Sequence, residues 1–168
     1  LGTWNKATTI IGDNMLREMT WPDGIPSHYE AYLKLEDDPV RPHIPKLVRY
    51  TENRNTFFLT DEEDKKVTAI VCLSRNNTIA KEESDLSLYS AKEAENTIVH
   101  LYTIWSYGKG AGRDLALQIV EAIPKRWPQV KRILTLSPHT DMARKFHLSN
   151  GASELQINKN TINFEYKV

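Results

Sequence analysis

The sequence predicts a single α/β domain over residues 1–168, a central mixed β-sheet flanked by helices. Three observations lead there. Apolar runs such as "VTAIVCLS" and "NTIVHLYTIWSY" are rich in β-branched and aromatic residues and have strand length. A glycine-rich turn, "SYGKGAG", separates the second run from a segment in which Leu115, Ile119 and Ile123 recur at helical spacing. A chain of 168 residues and 19.3 kDa suits one core and does not demand a second.

In chain order, residues 4–10, "WNKATTI", read as a short first strand, and residues 13–18 as the opening of a helix. Ser27 caps a helical run over residues 27–35, where Tyr29, Tyr32 and Leu33 share a face. "DPVRPHIP" carries three of the eight prolines and reads as an extended connection into a helix, "KLVRYTENR". "NTFFLTDEEDKKVTAIVCLSRN" reads as an antiparallel hairpin with a charged tip at residues 61–66. Residues 76–95 are too hydrophilic to belong to a core. Residues 96–107 are apolar or aromatic on both alternating faces, as a strand covered on both sides requires. The helix after the glycines should stop at Pro124, and "VKRILTLS" is a further buried strand. Ser137 and Pro138 suit the N-cap and first turn of a helix that Gly151 ends. "ASELQI", the turn "NKN" and "TINFEYKV" close the chain as two strands, with Ile162, Phe164, Tyr166 and Val168 alternating in the last.

The totals exclude several classes of function. Twenty-two basic residues balance twenty-two acidic ones, so no overall field attracts nucleic acid or an anionic membrane. Trp105, Tyr102 and Tyr107 could stack on bases, but on a two-sided apolar strand they read as core. The single cysteine, Cys72, cannot form an internal disulfide, which fits a cytoplasmic protein. No apolar run approaches a membrane span and "LGTWNK" lacks a signal-peptide pattern; the chain begins at Leu1, so an upstream start is expected. His100, His139 and His147 have no ligand spacing, so no metal is expected. No Gly-x-Ser-x-Gly nucleophile elbow is present.

A strand–loop–helix places first-turn N–H groups at the positive end of the helix dipole, where phosphate oxygens are stabilised. The spacing of Gly108, Gly110 and Gly112 fits neither the Walker loop nor the dinucleotide fingerprint. On "YGKGAG", within the order hairpin, strand, glycine loop, helix, strand, helix, hairpin, the sequence resembles the GNAT superfamily of acyl-CoA N-acyltransferases. The family pattern here is Arg/Gln-x-x-Gly-x-Gly/Ala, matched at Gly110 and Gly112, with Tyr107 in the Arg/Gln place. The resemblance implies that the loop amides of Lys109, Gly110, Ala111, Gly112 and Arg113 bind the pyrophosphate of coenzyme A. It also implies acyl-CoA as co-substrate and a small-molecule or protein amine as acceptor.

A second match, "ARKFHLSNGA", aligns Ala143, Phe146, His147, Gly151 and Ala152 with a GNAT segment. It puts His147 where many members carry the tyrosine that protonates the departing thiolate. "LYTI", "LTLSP" and "FHLSNGA" together look like the catalytic domain of malonyl-CoA decarboxylases, a GNAT-fold branch whose histidine works with a hydroxyl ahead of the coenzyme loop. Thr103 and Ser106 both lie on that segment, on opposite faces of the strand, and Thr103 is the preferred one. Strand N–H groups near Ile104 would hold the thioester oxygen. Those decarboxylases are much longer and carry extra sequence after the Ser-Pro, so acyl transfer narrowly leads, decarboxylation of a malonyl-type thioester follows, and a non-catalytic acyl-CoA sensor is the alternative outside catalysis. In transfer the base is not legible, with Glu30, Glu36 and Asp38 reading as solvated charges. A monomer or homodimer is expected.

Overall fold

The computed structural model describes residues 9–11, 14–19, 34–63 and 66–168. Among these, the β-branched and aromatic runs form β1 (Thr9–Ile11), β2 (Asn14–Glu18), β3 (Arg54–Thr60), β4 (Val67–Asn76), β5 (Ile98–Ser106), β6 (Arg132–Thr135), β7 (Ser137–Pro138), β8 (Ser153–Ile157) and β9 (Thr161–Tyr166), with helices α1 (Ala111–Arg126) and α2 (Asp141–Ser149). The strands are hydrogen-bonded in the order β1-β2-β3-β4-β5-β6-β9-β7, and β8 pairs with β9 off that path. The pair β5–β6 is parallel and β2–β3 and β6–β9 are antiparallel, so the sheet is mixed, as the sequence predicts. The helix expected over residues 27–35 lies outside the described residues except at its end, where Leu35–Asp37 form a 3-10 turn.

Two compact units make up the chain, and β4, β5 and α1 contribute residues to both. The first comprises the described residues up to Cys72 together with Ile104–Gln118. Here residues 14–18, expected as a helix, are a strand. Leu16 pairs with Leu59, both fully buried, and Glu18 with Phe57. A segment this short cannot sustain a helix on propensity, whereas a ladder to β3 satisfies its backbone and buries its apolar side chain. The proline-rich connection is a turn and not an extended linker. Asp38 Oδ1 accepts the N–H groups of Val40 (2.8 Å) and Arg41 (2.9 Å), and Ile44 N–H closes on Arg41 C=O at 3.2 Å. The expected helix after it is a single 3-10 turn, Leu47–Tyr50.

That 3-10 turn carries Arg49, which is completely buried. Its guanidinium donates to Asp38 Oδ2 at 2.9 Å, Arg41 C=O at 2.8 Å and Ile44 C=O at 3.1 Å, with Cys72 Sγ at 3.5 Å. Thr56 Oγ1 donates to Arg49 C=O at 2.7 Å. Asp38, read from sequence as a solvated charge, is instead the buried counter-ion of this cation. Burial pushes the Cys72 thiol up despite the neighbouring guanidinium, which keeps it protonated.

The second unit is Leu73–Thr103 with Ile119–Val168. Residues 76–95, judged too polar for a core, contribute Ala80 and Leu86, both fully buried. Polar side chains hold this loop by its backbone. Asn76 Nδ2 donates to the carbonyls of Leu86 and Leu88, each at 2.9 Å, and Asn163 Nδ2 donates to Ala80 C=O at 2.9 Å. His100 Nε2 accepts Ala80 N–H at 2.9 Å, so its Nδ1 bears the proton and donates to Asn76 Oδ1 at 2.8 Å. Composition misses this because the anchors lie far away in sequence.

Two helix boundaries also differ from expectation. α1 continues past Pro124 to Arg126. The proline forfeits one bond, to Val120 C=O, near the helix end, where burial of Ile123 and Trp127 and the Trp127 N–H to Ile123 C=O bond (2.8 Å) hold the last turn. Ser137 and Pro138 form β7, pairing with Ile162 and Thr161, and the N-cap of α2 is Thr140, whose Oγ1 accepts Ala143 N–H at 3.2 Å. Gly151 does end α2, at φ +99.

Because Arg49 is buried with its charge, removing its partner leaves an unpaired cation. Asp38→Ala should therefore lose about 3–5 kcal/mol in urea unfolding, whereas an Asp38→Leu/Arg49→Met double variant should recover most of that loss. Equal losses in the two proteins would show that the ion pair is not what holds this loop.

Candidate functional site

The glycine turn lies in the first unit. Tyr107 N–H donates to Thr68 C=O at 2.8 Å, which roots the turn on β4. Ala111 N–H donates to Gly108 C=O at 3.2 Å, and Asp114 N–H makes the first helical bond, to Gly110 C=O, at 3.1 Å. Gly110 has φ +80, a left-handed conformation costing an L side chain about 1–2 kcal/mol. An added Cβ there would meet nothing within 4 Å, so the glycine serves backbone geometry and not packing. Lys109, Gly110 and Arg113 are exposed, and Gly112 is buried in the first turn of α1. The amide of Ala111 is used inside the turn; the amides of Gly112 and Arg113 precede the first helical bond. The sequence reading of Tyr107 as core is corrected: its side chain is 48% exposed.

On β5, Tyr102 and Trp105 are buried as expected. Thr103 is buried, Ile104 half-buried and Ser106 exposed. The register with β6 ends at Leu101↔Thr135, while β5 continues to Ser106. Thr135 C=O, at the end of that ladder, accepts the Asn163 amide at 2.7 Å.

His147 lies in the second unit, on the face of α2 that also carries Ala143, Phe146 and Asn150, the i, i+3, i+4, i+7 set of the "ARKFHLSNGA" motif. It is 6% exposed, the only buried side chain of α2. The end of the motif is a helix stop. Ala152 N–H donates to His147 C=O at 3.0 Å and Gly151 N–H to Leu148 C=O at 3.2 Å, a Schellman closure that needs glycine at the left-handed position. The "NGA" residues thus fix the backbone of the histidine.

The ring of His147 stacks on Phe164 at 5.4 Å and meets the edges of Phe146 and Tyr166. Its Nδ1 lies 2.7 Å from Tyr166 Oη. Burial lowers its pKa to about 4, so the imidazole is neutral at pH 7. Tyr166 is pushed up to about 12 by burial, against a side-chain hydrogen bond from Asn150. The buried phenol needs an acceptor and meets Nδ1; donating there, it leaves the imidazole proton on Nε2. Sequence reasoning missed Tyr166 as a partner. The signal was a tyrosine on the core face of the last strand, since a buried phenol needs a hydrogen-bond partner.

Among the described residues no cluster of His, Cys, Asp and Glu could hold a metal ion, and no helix is long and apolar enough to cross a membrane.

No protein-family profile matches the sequence, and no curated protein sequence matches it. Solved structures do. Malonyl-CoA decarboxylase from Agrobacterium vitis superposes with a TM-score of 0.75 at 17% identity, over 94% of this chain and 61% of that one. The GNAT domain of S. lividans PAT matches with a TM-score of 0.61 at 13% identity, over 92% of this chain and 90% of that domain. Arabidopsis thaliana NAA60, solved with acetyl-CoA, matches with a TM-score of 0.59 at 15% identity, over 91% of this chain and 97% of that one. The fold is therefore GNAT-like, with a likeness to malonyl-CoA decarboxylases, of whose length the chain spans about three-fifths.

His100 and His147 both sit near pKa 4, His100 also through burial, with Asp85 opposing. Both folded values lie below the free value of 6.5, so the stability they protect is complete above about pH 6.5 and lost as pH falls through 4, by about 3 kcal/mol each. Urea midpoints should fall steeply between pH 6 and 4, and His147→Gln should reduce the slope. An unchanged slope would mean His147 charges in the folded state without cost.

Proposed function

We propose that this chain is an acyl-CoA enzyme whose reaction is decarboxylation of a malonyl-type thioester. The loop amides of Lys109, Gly110, Gly112 and Arg113, with Ala111 closing the turn, cradle the coenzyme pyrophosphate at the N-terminus of α1. The β5 amides near Ile104 hold the thioester oxygen, Thr103 is preferred over Ser106 as the assisting hydroxyl, and His147 is the proton donor.

The 2.7 Å contact between His147 Nδ1 and Tyr166 Oη, a ready proton relay, carries this reading. Loss of CO2 leaves the electron pair of the broken carbon–carbon bond in a thioester enolate, a base far stronger than phenolate. A neutral imidazole can protonate that carbon from Nε2 while Nδ1 takes the proton of Tyr166, and the phenolate then regains its proton from solvent. A coenzyme thiolate is a far weaker base than that enolate, so the same relay has less driving force in acyl transfer than in decarboxylation. Transfer to an amine, the leading sequence expectation, therefore becomes the second reading. It is favoured by one observation: the acetyl-CoA complex of NAA60 is matched over 97% of its length, whereas the decarboxylases extend well beyond this chain.

Mass spectrometry of the CoA species after incubation with malonyl-CoA or acetyl-CoA, with and without amines, separates the two. The expected result is acetyl-CoA formed from malonyl-CoA without an amine, lowered about 10²–10⁴-fold in His147→Gln with CoA affinity nearly unchanged. The rate should stay level from pH 6 to 8, where the imidazole remains neutral. Free CoA appearing only with an amine would establish transfer; CoA binding without turnover would leave the sensor.

A further inference from the structure

Tyr107 stands where the related pattern has Arg or Gln, one residue ahead of the first loop glycine, and its side chain is half in solvent. Its hydroxyl nevertheless has a full set of partners. Trp105 Nε1–H donates to it at 3.1 Å, it donates to Asp37 Oδ2 at 2.7 Å, and Lys34 C=O lies at 3.4 Å. The ring is rooted, since the Tyr107 backbone is fixed on Thr68. Burial of the hydroxyl and the Asp37 carboxylate push the phenol up to about 12, so it stays a donor throughout the neutral range.

Segment 34–38 is thus held at two adjacent carboxylates of different character. Asp38 is locked to Arg49, with both side chains fully buried. Asp37 is exposed and held from the mouth of the glycine turn. The inner anchor does not change while the fold is intact, whereas the outer one depends on where the turn holds Tyr107.

We propose that Tyr107 is a positioning residue that couples occupancy of the glycine loop to the order of segment 34–41. The coupling rests on the loop's being the coenzyme cradle. Anything that fixes the turn fixes the phenol, and with it the carboxylate of Asp37; a phenylalanine would leave the turn's backbone bonds intact and break the coupling.

Hydrogen–deuterium exchange of peptides spanning residues 34–41, with and without CoA, tests it alongside calorimetric CoA affinity. In the unsubstituted protein CoA should slow this exchange about fivefold or more. In Tyr107→Phe and in Asp37→Ala, CoA should bind within about twofold of the parent affinity with that slowing lost, and the double variant should lose no more than either single one. CoA binding with equal slowing in parent and variants, or with none in the parent, overturns the coupling and leaves the cradle standing. Failure of CoA to bind the parent overturns the cradle, and the coupling with it.

Discussion

Arg49 is a cation with no access to water, and the first unit is arranged around satisfying it. Burying an ion is costly unless every donor finds an acceptor. The guanidinium finds Asp38 and the carbonyls of Arg41 and Ile44, and in doing so it folds a proline-rich stretch into a defined turn. The neighbouring carboxylate, Asp37, is thereby presented to Tyr107 at the start of the glycine turn. One buried charge thus reaches, through two consecutive acidic residues, the loop that carries the proposed ligand.

The second unit solves a similar problem with neutral groups. His100 and His147 are both buried and both neutral at pH 7, but their surroundings differ. His100 has both ring nitrogens used, by Asn76 and by the Ala80 amide, so it serves as a fixed strut between strand and loop. His147 meets one phenol, at Nδ1, and a phenol donating there leaves the other nitrogen protonated. Equal pKa shifts therefore say nothing about equal roles. The count of hydrogen-bond partners separates a structural histidine from one with a proton available.

The central elements were legible because local pattern and burial agree there. β3 to β6, the first turns of α1 and the closing hairpin all follow apolar periodicity. Elements decided by distant partners were not. Residues 14–18 look like a helix start until β3 is present to pair with them, and residues 76–95 look like solvent-exposed loop until Asn76, His100 and Asn163 take hold of their backbone. Ser137 and Pro138 make a persuasive cap and first turn, but β9 claims them as a strand and Thr140 caps the helix instead. At the candidate site, the glycine turn and His147 were visible as motifs. Tyr166 and the Tyr107–Asp37 contact were not, because one sequence does not record which hydroxyl meets which base across 19 or 70 residues.

β8 pairs with β9 on one side, and its ladder is interrupted between Glu154 and Gln156. Leu155 and Ile157 are exposed beside that interruption, and Glu154 is tied to Arg144 of α2 at 2.7 Å. A strand with exposed apolar side chains would ordinarily be a template for another chain to extend. The irregularity twists the backbone out of the flat row of donors and acceptors that an incoming strand would copy, and the charge occupies the same face. The break in the ladder therefore makes this edge a poorer template for an added strand than a regular one would be.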